Sequence, residues 1–317
     1  MPIQNQTSVN NTNRAQIMSV SPVIFKVPGR QVDLEIRVSA PVTGKNLPIM
    51  LLSHGHGASN FLSSFRGYAP LVDFYAAHGF VVIQPTHQDS KTLSLDTNGP
   101  EGALFWKSRA KDMHFIYDHL SEIETAVPDL AGRLDKNKVA AVGHSMGGHT
   151  VAMLAGMRVT DFIKGEEVNL EEPRIKAFVM FGTPGNGTDL AEWASTRYPA
   201  LKGTNFSGMK REVLVVAGDK DAHPNFSERS DWRFDAYHAS PGPKCLLTVF
   251  DSGHMLGGIS GYDVAETDDE NPQTISFVRD ITLSYLLSAL NPENTSWEDA
   301  KEKLKNTLNP QGRIECK

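Results

Sequence analysis

The chain has 317 residues, of which 40% are hydrophobic and 21% are charged, which suits one large α/β domain and excludes a wholly disordered chain. Its formal net charge of −6 is spread without a run of Lys or Arg, so nucleic acid is not an expected partner. No stretch approaches the roughly 18 apolar residues of a membrane span, and the polar first residues lack the apolar centre of a secretory signal, so we expect a cytoplasmic protein without a membrane span.

Predicted strands and helices alternate along the chain. Residues 1–17 are expected to be a flexible N-terminal segment and residues 18–317 a single domain. Two β-rich runs separated by Pro28-Gly29 predict an antiparallel pair of strands at one sheet edge. The predicted strands cover residues 20–27, 32–38, 47–53, 80–85, 139–142, 175–181, 212–218 and 245–250. The predicted helices cover residues 68–78, 101–125, 150–154, 232–238 and 272–290, with one more in a C-terminal tail.

This alternation predicts the fold class. Each crossover helix has to bury its apolar stripe against the sheet, so we expect an α/β protein with a mostly parallel central sheet and helices on both faces. In the tail, Ser296 is the expected N-cap of the helix. Its apolar face carries Trp297, Leu304 and Leu308. Cys245 and Cys316 are far apart in the sequence, and we expect both to be free thiols.

The segment "KVAAVGHSMGGHTVAML", residues 138–154, places a serine in a very tight bend. The apolar residues before the bend suit a buried strand, and those after it begin a helix. Gly143 and Gly147 give the spacing G-x-S-x-G, which removes side chains where strand and helix pack closely. Because such a bend projects its hydroxyl from the sheet edge above a helix N-terminus, Ser145 is the predicted nucleophile.

A nucleophilic serine needs a base, and the base needs an acceptor that fixes its tautomer. In a parallel sheet of this kind, both lie in loops that follow later strands. His254 is the only one of the eleven histidines that ends a late strand and follows an acid, so it is the predicted base. Asp221 is the favoured acid, because Asp219 stands in the first turn after its strand. Asp219 and Asp251 remain alternatives.

The loop "SHGHGAS", residues 53–59, is predicted to complete an oxyanion hole. Gly55 and Gly57 allow the backbone to approach the substrate, and the N–H groups of His56 and Met146 are the expected donors. Histidines two residues apart are also compatible with a metal site, but no cysteine or carboxylate cluster accompanies them. We therefore expect neither a metal nor a cofactor.

Three aromatic residues are candidate substrate contacts, namely Phe61, Trp106 and Phe206. Only about thirty residues separate the strand at 175–181 from the next, so no large cap domain fits there. Residues 198–210 are expected to form a short flap that carries Phe206 over a partly open cleft. Arg109 and Asp112 are three apart on a predicted helix, and we expect an intrahelical ion pair between them.

Together these motifs resemble those of the α/β-hydrolase superfamily, over about residues 20–290. The resemblance rests on Gly143-His144-Ser145-Met146-Gly147, His54-Gly55-His56-Gly57, Gly218-Asp219-Lys220-Asp221 and Gly253-His254. The chain is similar in particular to serine esterases of the dienelactone-hydrolase-like, platelet-activating-factor-acetylhydrolase-like and chlorophyllase-like group. The bend at Ser145 also resembles that of bacterial cutinases. The resemblance implies an α/β-hydrolase fold. The acetylhydrolases and chlorophyllases carry their acid one strand earlier, where this chain offers only Asp189.

These residues predict a carboxylic ester hydrolase for small or short-acyl esters. His254 would deprotonate Ser145, an acyl-enzyme would form, and water would release the acid. Acyl transfer and cofactor-free perhydrolysis are alternatives, because only the group that displaces the acyl chain differs. Cutinase-like polyester hydrolysis is another. A non-catalytic binding protein is a further class, but no member of the triad is missing.

Overall fold

A computed structural model describes residues 14–317 of the chain, so residues 1–13 of the predicted N-terminal segment lie outside the described residues. The strands are β1 (Ile17–Phe25), β2 (Leu34–Pro41), β3 (Leu47–Ser53), β4 (Val81–Pro85), β5 (Leu134–His144), β6 (Arg158–Asp161), β7 (Glu166–Asn169), β8 (Ala177–Phe181), β9 (Thr204–Asn205), β10 (Val213–Gly218), β11 (Lys244–Val249) and β12 (Gly312–Cys316). The helices are α1 (Ala69–Ala77), α2 (Trp106–Asp118), α3 (Leu120–Ala126), α4 (Met146–Leu154), α5 (Glu192–Arg197), α6 (Asp235–His238), α7 (Pro272–Leu290) and α8 (Ser296–Lys305).

Nine strands form one sheet in the order β1-β2-β4-β3-β5-β8-β10-β11-β12. The six strands from β4 to β11 in this order run parallel to one another. The pair β1 and β2 is antiparallel at one edge, as the sequence predicts, and β12 is antiparallel at the other edge. A mostly parallel sheet places the carboxyl ends of its central strands along one edge, where loops can meet.

Both faces of this sheet are covered by helices. Along β3, Ile49 and Leu51 pack into one apolar cluster together with α2, α3 and α4. Met50 and Leu52 point to the opposite face, where they join a second cluster with α1, α7 and α8. This alternation is what a pleated strand buried on both faces requires. Within residues 14–317, no helix combines the length and the apolarity needed to cross a bilayer.

The predicted helix over residues 101–125 is two helices. The α-helical backbone is broken at His119, which has φ −110° and ψ 24° and separates α2 from α3. The His119 ring stacks on Phe115 at 3.8 Å between centroids, and its Nδ1 hydrogen-bonds the Phe115 carbonyl at 2.8 Å. The break thus coincides with a contact between His119 and Phe115, four positions earlier. The apolar periodicity of the sequence did not indicate a break there.

A small second sheet of strand order β7-β6-β9 was not predicted, because its strands are only two to four residues long and largely polar. It corrects the expectation of a free flap over residues 198–210. In that segment β9 pairs with β6, and a Cβ on Gly203 would lie 2.2 Å from the Thr160 carbonyl oxygen. The segment is therefore packed tightly against the body of the protein.

The C-terminal tail forms α8 as expected, but two details differ. Thr295, rather than Ser296, occupies the N-cap position. Trp297 and Leu304 are buried, whereas Leu308 lies beyond the helix and is 86% exposed. The final strand β12 was not predicted, because the segment "GRIEC" carries too few apolar residues to mark a strand.

The two cysteines form a disulfide, so the expectation of free thiols is wrong. Strand β12 returns alongside β11 and sets Cys316 directly opposite Cys245. The neighbouring residues Lys244 and Lys317 exchange both backbone hydrogen bonds, which makes the cysteines a non-hydrogen-bonded pair. In antiparallel strands such pairs have the closer Cα atoms, and here they lie 4.1 Å apart.

Candidate active site

Ser145 lies at a strained bend between β5 and α4. Its φ of 55° and ψ of −119° are rare for a residue with a side chain, and its N–H donates to the Phe181 carbonyl at 2.8 Å. A Cβ on Gly143 would lie 2.2 Å from the Gly147 carbonyl oxygen, and one on Gly147 would lie 2.0 Å from the Ser53 carbonyl oxygen. The G-x-S-x-G spacing is therefore a packing requirement of this bend.

Asp221 and His254 meet at the same sheet edge, in the loops that follow β10 and β11. The Nδ1 of His254 is 2.8 Å from Oδ2 of Asp221, whose side chain is 2% exposed. Ser145 and His254 line the same cleft, although no hydrogen bond joins their side chains in the described part of the chain. That contact is often long when no substrate is bound.

The other candidate acids lie elsewhere. Asp219 is exposed, and its backbone N–H donates to the carbonyl that ends β11. Asp251 is 85% exposed and pairs with Lys220 at 2.6 Å on the surface. Asp189 pairs with Arg229 at 2.7 Å. Among the four acids that the sequence left open, Asp221 is the one that contacts His254.

Arg233 contacts Asp221 on the side away from His254, and the Gly182 carbonyl in turn holds Arg233. The Arg233 Nε is 3.3 Å from Oδ1 of Asp221, and its Nη1 donates to the Gly182 carbonyl at 3.2 Å. Gly182 has φ 50°, and a Cβ there would lie 3.0 Å from the ring of His254. Burial by itself would raise the pKa of Asp221, but the charges of Arg233 and His254 outweigh it and hold that pKa well below its usual range.

The expected oxyanion donors face the cleft. His56 and Met146 both line it, and within the described residues neither backbone N–H has a hydrogen-bond acceptor. Met146 is the first residue of α4, so its N–H belongs to the unpaired first turn of a helix. Two free donors beside the candidate nucleophile Ser145 are an arrangement that could stabilise a tetrahedral oxyanion.

A family model described as the alpha/beta hydrolase family matches residues 50–267, which is more than half of the chain. The chain belongs to the alpha/beta hydrolase family. A platelet-activating factor acetylhydrolase from Cavia porcellus is 23% identical over 228 residues, which cover 58% of this chain and 49% of the relative. One from Bos taurus is 28% identical over 146 residues, which cover 34% and 32%. The chain thus matches half or less of the length of these curated relatives.

In this alpha/beta hydrolase, His144 links two loops of the site. One is the candidate oxyanion loop, residues 53–59, here called the oxyanion loop, and the other carries the candidate base His254. Its Nε2 lies 2.9 Å from the His254 carbonyl, and its Nδ1 lies 3.0 Å from the Tyr68 hydroxyl. The Tyr68 oxygen in turn accepts the Gly55 N–H at 2.8 Å. Because the carbonyl can only accept, His144 carries its proton on Nε2 and Tyr68 donates to Nδ1. Burial lowers the pKa of His144 to about 3, which keeps the ring neutral.

A second Ser-His-Asp arrangement lies behind the oxyanion loop. Ser53 Oγ is 2.9 Å from His87 Nε2, and His87 Nδ1 is 2.8 Å from Asp112 Oδ2. All three are buried, with His87 and Ser53 at 0% exposure, and none of them lines the cleft. Substrate cannot reach Ser53, so this trio is part of the interior hydrogen bonding.

The expected ion pair between Arg109 and Asp112 does not form. Arg109 is fully buried and pairs with Asp89, whose other oxygen is 2.9 Å from His56 Nδ1. Asp112 instead pairs with Arg30 and His87. Helix spacing brings side chains near each other, but here each finds a buried partner from another element. The pair Arg109 and Asp89 therefore supports the oxyanion loop.

The cleft has a volume of about 630 Å³, and its aromatic wall differs from the predicted one. Phe206 and Trp106 are 1% and 3% exposed in the core, and Phe61 lies outside the cleft lining. The prediction that these three residues contact the substrate is therefore wrong. The aromatic residues that line the cleft are Trp193, Tyr198 and Phe226, with ring centroids 5.7 to 6.0 Å apart. Aromatic residues in loops carry no sequence signal that separates core from cleft.

The two histidines of the oxyanion loop are engaged in hydrogen bonds. Both ring nitrogens of His54 have protein partners, and His56 contacts Asp89. Across residues 14–317, no group of three or more His, Cys, Asp or Glu side chains is arranged to hold a metal ion. The residues that sequence reasoning missed are the supporting ones, namely Tyr68, Asp89, Gly182 and Arg233. A further supporting residue, His144, carried a sequence signal, because it stands inside the G-x-S-x-G motif.

Proposed function

We propose that this alpha/beta hydrolase cleaves carboxylic esters with Ser145 as nucleophile, His254 as base and Asp221 as acid. The observation that carries the proposal is the 2.8 Å contact between His254 and Asp221 in the cleft that Ser145 lines. The match to the alpha/beta hydrolase family and the distant acetylhydrolase relatives support the same class of reaction.

The tautomer of His254 follows from its partner. Because the pKa of Asp221 is held low, its carboxylate is ionised and can only accept, so Nδ1 of His254 carries the proton. The other ring nitrogen is then free to take the proton of Ser145 as its oxygen attacks the ester carbon. The carbonyl oxygen becomes an oxyanion, which the N–H groups of His56 and Met146 stabilise. The imidazolium then protonates the leaving alcohol, and water hydrolyses the acyl-enzyme by the same route.

We further propose that the acyl group is small. The two relatives are named acetylhydrolases, and a cleft of about 630 Å³ that also has to hold the leaving group favours a short acyl chain. The substrate is accordingly a small-molecule ester.

The test combines covalent labelling with turnover of p-nitrophenyl acetate. We expect a fluorophosphonate probe to add to Ser145, and we expect Ser145→Ala and His254→Ala each to lower kcat by about 10⁴ to 10⁶. Asp221→Asn should cost nearly as much, whereas the matched control Asp219→Asn should stay within about threefold of wild type. A wild-type protein that neither binds the probe nor hydrolyses esters would contradict the proposal. If Asp219→Asn lowered kcat strongly and Asp221→Asn lowered it little, the assignment of Asp221 as the acid would be wrong, whereas the rest of the proposal would stand.

A further inference from the structure

One peptide group decides whether the oxyanion hole is complete, namely the one between Gly55 and His56. We infer that the His54 side chain is a positioning residue that orients this peptide, so that the His56 N–H faces the reacting carbonyl. This inference rests on the proposed ester hydrolysis and adds to it the residue that aims one of its two donors.

Both ring nitrogens of His54 are engaged in the protein interior. Its Nδ1 is 2.6 Å from the Gly55 carbonyl oxygen, and its Nε2 is 3.0 Å from the His87 backbone nitrogen. A backbone N–H can only donate and a carbonyl can only accept, so the proton of His54 lies on Nδ1. The ring is completely buried, and burial together with the charge of Arg109 holds the pKa of His54 well below its usual range. His54 is thus a neutral ring with one fixed donor.

The Gly55 carbonyl and the His56 N–H belong to the same planar peptide. The bond is trans, so the two groups point in opposite directions, and fixing one direction fixes the other. The carbonyl is held inward by His54, so the His56 N–H is directed away from the interior, on a residue that lines the cleft. This N–H has no acceptor in the described part of the chain.

The orientation of this peptide has to be fixed by another group, because Gly55 restricts its rotation little. A Cβ there would crowd the Tyr68 hydroxyl at 3.0 Å, and glycine also allows the following peptide to rotate. Tyr68 binds the Gly55 N–H, which belongs to the preceding peptide. Among residues 14–317, the hydrogen bond from His54 is the one that holds the Gly55 carbonyl.

Two substitutions separate orientation from packing. His54→Asn places an amide nitrogen near the position of Nδ1 and can still donate to the Gly55 carbonyl. His54→Gln extends to the position of Nε2, where its oxygen can accept the His87 N–H, but it loses the donor to Gly55. The pair is matched in chemistry and differs in which of the two hydrogen bonds survives.

We expect His54→Gln to lower kcat for p-nitrophenyl acetate by about 10² to 10³, as for the loss of one oxyanion donor, with KM within about threefold. Its affinity for a trifluoromethyl ketone, whose adduct carries an oxyanion, should fall by a similar factor. His54→Asn should keep kcat within about tenfold of wild type. Equal kcat values for the two variants, or a more active Gln variant, would overturn the inference.

The wild-type protein provides a test that does not depend on the folding of either variant. A long-range ¹H–¹⁵N correlation spectrum of the imidazoles should show His54, assigned by its contact with the His87 amide, protonated on Nδ1 alone. Protonation on Nε2 would overturn the inference. If wild type lacks esterase activity while His54 shows the expected tautomer, the proposed ester hydrolysis has failed. If wild type is active and the Asn and Gln variants are alike, the role of His54 has failed.

Discussion

Two buried arginines hold the carboxylates on which the candidate site depends. Arg233 contacts Asp221 behind the candidate base, and Arg109 contacts Asp89 behind the oxyanion loop. Removing one partner of a buried ion pair leaves an uncompensated charge and is strongly destabilising, by about 3 to 5 kcal/mol. These arginines therefore serve the site and the fold together, although neither carries out a step of the proposed reaction.

Among single residues, Asp221 affects the pH dependence of stability rather than that of activity. Its pKa is held well below the usual value because the charges of Arg233 and His254 outweigh its burial, so it stays ionised throughout the assay range. The same ionised carboxylate stabilises the fold above about pH 4, and that contribution is lost as the pH falls further.

Because a general base has to be neutral to accept the serine proton, the proposed role of His254 predicts that activity is lost on acidification. We expect kcat/KM to fall as the pH is lowered below neutral, where Asp221 stays ionised and a protonated imidazole cannot act as a base. The measurement is a pH profile of kcat/KM with a small soluble ester. A profile that stays flat down to about pH 4 would remove His254 as the base.

At the scale of elements, the bend between β5 and α4 depends on close backbone contacts. Gly147 approaches the end of β3 so closely that any side chain would overlap the Ser53 carbonyl, and a Cβ on Gly148 would lie 2.8 Å from the Cβ of Thr183. The Ser53 carbonyl cannot move aside without shifting a strand of the central sheet. Ser145 is thus positioned by β3, β5, β8 and α4 together.

We expect Gly147→Ala to lower the free energy of unfolding by about 3 kcal/mol or more and to abolish labelling of Ser145, because overpacking against backbone forces β3 and α4 apart. Gly99→Ala is the matched control, since a Cβ there meets no atom within 4 Å. It should leave both stability and labelling unchanged. Urea unfolding and probe labelling measure the two effects, and a well-folded, labelled Gly147→Ala protein would contradict the packing argument.

At the scale of the whole molecule, the disulfide joins the last strand to the strand that precedes His254. It connects residues 71 apart in the sequence, and the enclosed chain contains the loop of His254, α7 and α8. Disulfides persist mainly in oxidising compartments. The cytoplasmic location inferred from the sequence therefore stays a prediction, and the disulfide does not support it.

We expect the free energy of unfolding of the double variant Cys245→Ala, Cys316→Ala to be about 2 to 4 kcal/mol lower than that of the oxidised protein. Without the cross-link, the unfolded chain has more conformational entropy. Urea unfolding measures this difference. Two titratable thiols in the denatured wild-type protein before any reductant is added would show that the bond is absent in solution.

The size of the cleft sets the expected acyl preference. Trp193 at its edge is 46% exposed, so a long chain would extend past the aromatic wall into water. Methylenes beyond the cleft would then gain little of the roughly 0.8 kcal/mol that burial of each provides. With p-nitrophenyl esters of rising length, we expect kcat/KM to be highest at about two to six carbons and to decline beyond about eight. An optimum at long-chain triglycerides, or a jump in rate at a lipid interface, would contradict this.

Local patterns in the sequence were enough to predict much of the architecture. The alternation of apolar strands and helices predicted the mostly parallel sheet with helices on both faces, and α7 begins and ends where its pattern does. The G-x-S-x-G motif predicted a bend at Ser145. Its two glycines lie so close together in the bend that a Cβ on Gly143 would overlap the Gly147 carbonyl. Chain order predicted that Asp221 and His254 follow later strands, and the structure brings them together.

The fold class, the bend at Ser145 and the loops that carry Asp221 and His254 could all be predicted from the sequence, because each depends on the periodicity or spacing of neighbouring residues. The tertiary structure was needed to show that Asp221, rather than Asp219, contacts His254, that Arg109 pairs with Asp89 and that Cys245 is joined to Cys316. These contacts join residues from separate elements. Such side chains come within bonding distance only after the register of the sheet and the packing of its helices have been set, and no local pattern contains that information.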